Sequence, residues 1–501
     1  MKGTHSLHSR GSRARAASLA ALLSASMLAG CTVGPDFLRP KAPAVDGYTA
    51  QPLPEKTASA STAAGEAQAF AMGRDIPGQW WTLFHSEPLN TLVEQALAAN
   101  PDIRAGEAAL RQARENLYAD QGSYYPSVDA QASATRERSP GALQGRSGAT
   151  TFNLYRASID VSYSLDLFGG ERRLIEADAA QAEFQGFQLE ATYLTLSSNV
   201  VALAVQEASL REQIAATEDI VKAETEQLDV VRRQFQLGAV ARADVLAQEA
   251  ALAQTRATLP NIQKQLAQTR NQLAALAGRF PSQEIEQSFR FADLTLPQEL
   301  PVSLPSQLVD QRPDIRAREA LLHAASAEVG LATVNQLPQI SLSASYGTAA
   351  TRTGGLFGAN SSLWNIGANI LQPIFRGGTL EHEKKAAIAA YDQAAAQYQS
   401  TVLQAFQNVA DALRGLESDA DAVRAQAEAE RSASDSLAIS RDQYRNGAIS
   451  YVTLLNADRT YQQARISLVQ AQATRYADTV ALFQALGGGW WNRADTVAAG
   501  Q

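Results

Sequence analysis

Few side chains in this chain could do chemistry, and their spacing excludes most of it. Past residue 30 there are three histidines, His85, His323 and His382, far apart in sequence and without an HExxH pair for a catalytic metal. No Ser-His-Asp set and no paired-carboxylate arrangement stands out. Gly487, Gly488 and Gly489 end a helical pattern, the wrong side for a phosphate cradle. What remains is Cys31, the only cysteine of 501 residues. Alone it forms no internal disulfide, and it lacks the neighbours of a metal site. The residues point away from an enzyme, with no metal and no cofactor beyond a group joined to the Cys31 sulfur.

The residues before Cys31 indicate that group. Residues 1–15 carry Lys2, Arg10, Arg13 and Arg15 and no acid, and a small apolar run follows over 16–27. The run suits a signal-peptide core and is short for a spanning helix, which needs roughly 20 residues. It closes on Leu28, Ala29, Gly30 and Cys31, which resembles a bacterial lipobox, where the cysteine sulfur takes a diacylglycerol. Several acyl chains anchor a protein stably where one holds it weakly. Thr32, rather than Asp, follows the cysteine, which favours the outer membrane over the inner. The formal charge is −8, or −12 with the leader removed, which argues against nucleic acid as a partner.

The elements that follow are written twice. Residues 101–110, PDIRAGEAAL, are answered by 313–322, PDIRAREALL; Pro126 is answered by Pro338; and 232–240, RRQFQLGAV, by 441–449, RDQYRNGAI. Such ordered matches mark a tandem duplication. The expected divisions are a leader (1–30), a lipidated extended arm with little core of its own (31–88), a first repeat (89–280), a proline-rich linker (281–305), a second repeat (306–486) and a tail (487–501). Each repeat has a helix (89–121, 306–336), a β-hairpin (126–168, 338–373) and a long helical hairpin turning at Gly238 or Gly447.

No run of 18 or more apolar residues follows the leader, so a membrane-spanning role would need strands. Ile159, Val161, Tyr163 and Leu165 alternate with Ser158, Asp160, Ser162 and Ser164. Segments 127–135, 340–346 and 364–370 alternate likewise, the period of a strand with one apolar face. A soluble sheet packed on helices is the alternative, but no further strands are evident to build one. Four strands cannot close a barrel, and open edges in lipid strand backbone polar groups. If these strands face lipid, several chains must therefore share a barrel. The helices from 171 and from 379 run about 100 Å at 1.5 Å per residue. They carry heptad seams: Leu189, Tyr193, Leu196, Val200, Leu203, Glu207, Leu210, and Tyr398, Val402, Ala405, Val409, Ala412, Leu416.

With these elements in place, the chain resembles the outer membrane factor family of TolC/OprM-like efflux channels, in its lipoprotein, NodT-type branch. The motifs are CTVGPDF at 31–37 with Pro40, DQRPDIR at 310–316, YRNGA at 444–448 with YVTLL at 451–455, and ALGGGW at 485–490. The resemblance implies a mainly α fold with a membrane β-barrel: a TolC-like homotrimer, twelve-stranded with four strands per chain, on a long α-helical barrel. It implies an RND-type multidrug efflux system, with a periplasmic membrane-fusion adaptor, an inner-membrane pump and outer-membrane lipid as partners. The function would be passive export of drugs or other small molecules. The alternatives are a protein-secretion channel of the same fold and a non-conducting periplasm-spanning lipoprotein.

The turns at Gly238, Ala239 and Val240 and at Gly447, Ala448 and Ile449 become expected adaptor-docking tips. The family's pore constriction falls on Val452, Asn456 and Arg459. The family places an Asp where this chain has Asn456, which removes an acidic ring; Asp458 points about 200° away on the helix. Arg459 is expected to meet acids such as Asp244 or Glu249 of the neighbouring hairpin, with Asp458 a further gate partner.

Overall fold

The computed structural model describes residues 32–140, 145 and 147–493, so the leader and Cys31 lie outside the described residues. The described elements, in chain order, are β1 (Ala69–Met72), α1 (Glu87–Ala99), α2 (Pro101–Gln121), β2 (Ser127–Pro140), β3 (Ala149–Leu165), α3 (Gly170–Gln236) and α4 (Arg242–Leu276). Then come β4 (Glu299–Val302), α5 (Pro305–Gln311), α6 (Pro313–Val334), β5 (Gln339–Ala350), β6 (Ser362–Leu371), α7 (Thr379–Arg445) and α8 (Tyr451–Ala485). α3 and α7 have 67 residues each, and α4 and α8 have 35 each. No described helix is long and apolar enough to cross a membrane.

Proline breaks the helix that opens each repeat, where the sequence pattern reads as one run. Asn100 and Arg312 are extended, as a residue before proline prefers, and Pro101 and Pro313 start the next helix. The break residues then do equivalent work. Asn100 Nδ2 donates to Leu276 O at 3.0 Å, and Arg312 Nη1 to Ala485 O at 2.9 Å. Each thus satisfies a carbonyl at the end of its repeat's returning helix, one of the groups a helix terminus leaves without an internal partner.

The chain separates into two compact units. Among the described residues, one comprises 32–39, 110–140, 145, 147–184 and 318–398; the other comprises 40–109, 185–317 and 399–493. The first unit holds an antiparallel sheet in the order β2-β3-β5-β6. Its register aligns Val128, Val161, Ala344 and Ile366 across the four strands, with Ala130, Ile159, Tyr346 and Trp364 in the next row of that face. Ser127, Ser162, Ser343 and Gly367 form a row of the opposite face, as do Asp129, Asp160, Ser345 and Asn365. All four strands therefore present their apolar residues on one side. Among the described residues the outer edges of β2 and β6 have no strand partner.

In the second unit, β1 and β4 pair in parallel, two short strands that the sequence pattern did not indicate. The arm carries more core than expected: Ala64, Gln68, Ile76, Trp80, Trp81 and Phe84 are buried. The linker also packs, burying Ile285, Phe289, Phe291, Leu294, Leu296, Leu300 and Val302. Trp80 stacks on Phe483, and Trp490 meets Phe187 edge-on, placing both tryptophan pairs in packing roles. All six residues of the second seam are buried; in the first, Leu196, Val200, Glu207 and Leu210 are buried and Leu203 is half-buried.

Candidate gate and docking tips

Both helical hairpins turn through the same cap. After α3, Gly238 adopts φ +72°, Gly238 N donates to Phe235 O at 3.0 Å and Ala239 N to Gln234 O at 2.8 Å. After α7, Gly447 adopts φ +70°, Gly447 N donates to Tyr444 O at 3.0 Å and Ala448 N to Gln443 O at 2.8 Å. This paired pattern needs a left-handed residue, which glycine supplies without a Cβ penalty. The returning helices start differently. Ser450 Oγ accepts from Thr453 N at 3.3 Å to cap α8, while Asp244 Oδ2 accepts from Ala241 N at 3.0 Å at the start of α4.

Gly238, Ala239, Gly447 and Ala448 are exposed. Val240 and Ile449 are half-buried, and Val240 packs against the cluster of Val231, Ala251, Tyr451 and Leu455. That cluster joins the two hairpins just below their tips. Tyr444 extends the joint: its ring meets Tyr451 at 5.7 Å, and its hydroxyl donates to Gln234 Oε1 at 2.8 Å.

On α8, Val452, Asn456 and Arg459 are exposed. Their spacings of four and three put them on one stripe. Asp458 faces the other way, half-buried, with Oδ1 3.4 Å from Arg441 Nη2. Burial pushes the Asp458 carboxyl above its ordinary value, against Arg441 and Gln462. Within the chain the expected partners of Arg459 are engaged elsewhere. Glu249 Oε1 lies 2.7 Å from Arg232 Nη2 across the first hairpin, and Asp244 caps its own helix. Local geometry uses both acids: one sits a hairpin's width from an arginine, the other three residues into a helix start.

Two features escaped the sequence pattern. Arg475, on α8, is fully buried, with Nη1 donating to Ala64 O at 2.6 Å and Nη2 to Glu66 O at 2.7 Å. Arg173, at the start of α3, is 2% exposed and holds the segment just past Cys31: Nη2 donates to Asp36 Oδ1 at 2.8 Å and Nε to Val33 O at 3.3 Å. His323 serves packing: it stacks on Phe37 at 4.4 Å and meets Glu176 Oε1 at 2.9 Å, while His85 and His382 are exposed.

The chain matches the family model described as "Outer membrane efflux protein" over residues 92–279 and 304–488. It is 29% identical over 479 residues to the toluene efflux pump outer membrane protein TtgC of Pseudomonas putida, covering 95% of this chain and 96% of that protein. It is 28% identical over 472 residues to the probable outer membrane lipoprotein SilC of Salmonella typhimurium, covering 93% and 97%. The solved structure of the outer-membrane channel OprN superposes with a TM-score of 0.82 at 27% identity, covering 92% of this chain and all of that one. Tandem hairpins with matching caps and an apolar-faced sheet agree with both halves of the family match: the chain belongs to the outer membrane efflux protein family and is an outer-membrane efflux component with the fold of the TolC-like channels.

Proposed function

We propose that three copies of this chain pool their sheets into one twelve-stranded barrel in the outer membrane and their long helices into a tunnel beneath it. The observation that carries this is the four-stranded sheet. Its apolar face is open, with Trp364 73%, Ile366 76% and Val128 66% exposed, and neither edge has a partner among the described residues. A single chain in lipid would leave two rows of backbone groups unsatisfied, at several kcal/mol per group. Twelve strands is an even count within the range of bacterial barrels.

The duct is passive and exports drugs or other small molecules, driven by an RND-type inner-membrane pump through a periplasmic adaptor. The exposed Gly238, Ala239, Gly447 and Ala448 meet the adaptor, with Val240 and Ile449 supporting the turns from within. Val452, Asn456 and Arg459 ring the pore, and Asn456 constricts it by size and hydrogen bonding rather than by charge. Lipid on Cys31 anchors the arm, which Arg173 and the bond from Val33 N to Phe168 O at 3.0 Å hold beside the end of β3. No step is catalytic, and no cofactor beyond that lipid is needed.

The test is the mass of the detergent-solubilised protein together with unitary conductance in planar bilayers. A trimer that conducts, and conducts more as Arg459→Ala, is expected. A monomer, or a trimer giving no unitary steps, would end the proposal; unchanged conductance in Arg459→Ala would take that residue out of the gate.

A further inference from the structure

Beneath the tips, the first hairpin reaches the second through a buried acid. Glu224, on α3, is 3% exposed. Its Oε1 accepts from Gln462 Nε2 on α8 at 3.0 Å, and the same nitrogen donates to Asp458 Oδ2 at 2.7 Å. One amide therefore ties two carboxylates together, and Arg441 on α7 reaches only Asp458. Glu224 Oε2, Tyr451 Oη and Gln227 Nε2 are buried without a partner. All three residues line a cavity of about 280 Å³, together with Asp458 and Arg441.

A carboxylate this buried, sharing one amide with a second carboxylate, is costly as an anion and far less so as an acid. The charged and titratable groups around Glu224 come from three sides. From α8 there are Asp458, Arg459 and Tyr451; from α7 there are Arg441, Tyr444 and Arg445. The neighbours on α4 are the neutral Gln248 and Thr255, with Arg256 held by Thr225, and Glu226 shares the Glu224 helix.

We propose that Glu224, Gln462, Asp458 and Arg441 form a proton-dependent latch between the two hairpins, closed when Glu224 carries a proton on Oε2 and released when it loses it. The proton removes the repulsion between the two carboxyls that share one amide, and the neutral acid costs less to bury than the anion. Without it, the joint holds a buried anion that water would stabilise if the hairpins parted.

Burial first, and then the Asp458 charge, raise the Glu224 carboxyl above its ordinary value, against Gln462, Thr255 and Arg459. A carboxyl raised in the latched state and ordinary once wetted stabilises the latch fully below the ordinary carboxylate range. That stabilisation is lost as the pH climbs through the raised value. Each unit of difference between the two states is worth roughly a tenfold change in the released-to-latched ratio.

The latch rests on the channel reading for its consequence, a pore that opens more readily toward neutral and alkaline pH, but not for its test. Spin labels at Ala239→Cys and Ala448→Cys, exposed tip positions, report the separation of the tips by pulsed EPR, the Cys31 sulfur being already taken by its lipid. The full-length protein is scanned from mildly acidic to mildly alkaline buffer. The separation should lengthen as the pH rises. Glu224→Gln, which imitates the protonated acid, should hold it short throughout. Asp458→Asn, which removes the neighbouring charge, should move the midpoint to lower pH. A separation that ignores pH without these substitutions, or a response that survives Glu224→Gln unchanged, overturns the latch. The distances need no conduction, so a failed latch leaves the channel standing, and a non-conducting protein with pH-dependent tips sinks only the channel.

Discussion

The two returning helices, α4 and α8, each pin an irregular segment with one arginine, and they do so by different chemistry. On α4, Arg270 Nη1 lies 2.9 Å from Glu207 Oε1, and Nη2 donates to Ile285 O of the linker at 2.9 Å. On α8, Arg475 holds the arm through neutral acceptors: the carbonyls of Ala64 and Glu66, Thr57 Oγ1 at 3.0 Å and Gln68 Oε1 at 3.2 Å. Glu207 has a second cation, Arg211, at 2.7 Å. The acid of the first clamp therefore has a spare cation, while the linker carbonyls of Ile285 and Gln287, like the arm, rest on a single arginine. Duplication gave both repeats one plan, and each copy then fastened its neighbouring segment with the residues it had.

Arg475→Met should accordingly be the most damaging single change. It removes the donor to four acceptors, three of them on buried residues, at about 3 kcal/mol or more. Arg270→Met leaves Glu207 still paired with Arg211 and should cost about 1–2 kcal/mol. Thermal melts of the two variants side by side decide it: a larger loss for Arg270→Met would reverse the comparison.

A second contrast lies one step along the same helices. In the register that sets Arg441 against Arg232, Asp419 and Asp478 of the second hairpin stand where the first has Leu210 and Thr269. Burial, then the charge and hydrogen bond of Asp478, push the Asp419 carboxyl up to about 7, against Arg475. The approach is close: a Cβ on Gly415 would collide with the Asp478 carboxylate. A carboxyl raised in the folded state stabilises it below the ordinary carboxylate range and gives that up as the pH passes about 7. Because Asp419 is only half-buried, the loss should stay within roughly 1–2 kcal/mol. Melting temperature should fall from mildly acidic to mildly alkaline buffer. Asp419→Asn should flatten that slope, whereas an unchanged slope would assign the dependence to other groups.

What the sequence made legible follows from what repeats locally. The strand alternation is a property of neighbouring residues, and the register lines up those apolar sets row by row. The tips were legible because glycine at a helix end has one main use. Arg475 was not, because its partners lie more than 400 positions away and an arginine among Gln, Thr and Tyr reads as solvated surface. The breaks at Asn100 and Arg312 were available from the prolines that follow, yet the apolar period runs straight through them. In the candidate gate, the stripe of Val452, Asn456 and Arg459 follows from helical spacing alone. The partners did not, since Asp244 and Glu249 are committed by contacts that only the folded hairpin defines.

The smallest expected effect tests the similarity of the hairpins rather than their difference. The two tips share one cap and nearly one φ, and a Cβ built at Gly238 or Gly447 meets nothing within 4 Å. Alanine at either position should then cost only the left-handed backbone strain, about 1 kcal/mol, and the two costs should match. Hydrogen exchange at the Ala239 and Ala448 amides, which donate the closing bonds of the caps, would read the loss locally. The residues just before the glycines differ: Leu237 is 84% exposed, and Asn446 spends its side chain on Asp442 O at 2.9 Å. If exchange at Ala239 accelerates less than at Ala448, something outside one chain holds the first tip, and the exposed Leu237 side chain is where it would grip.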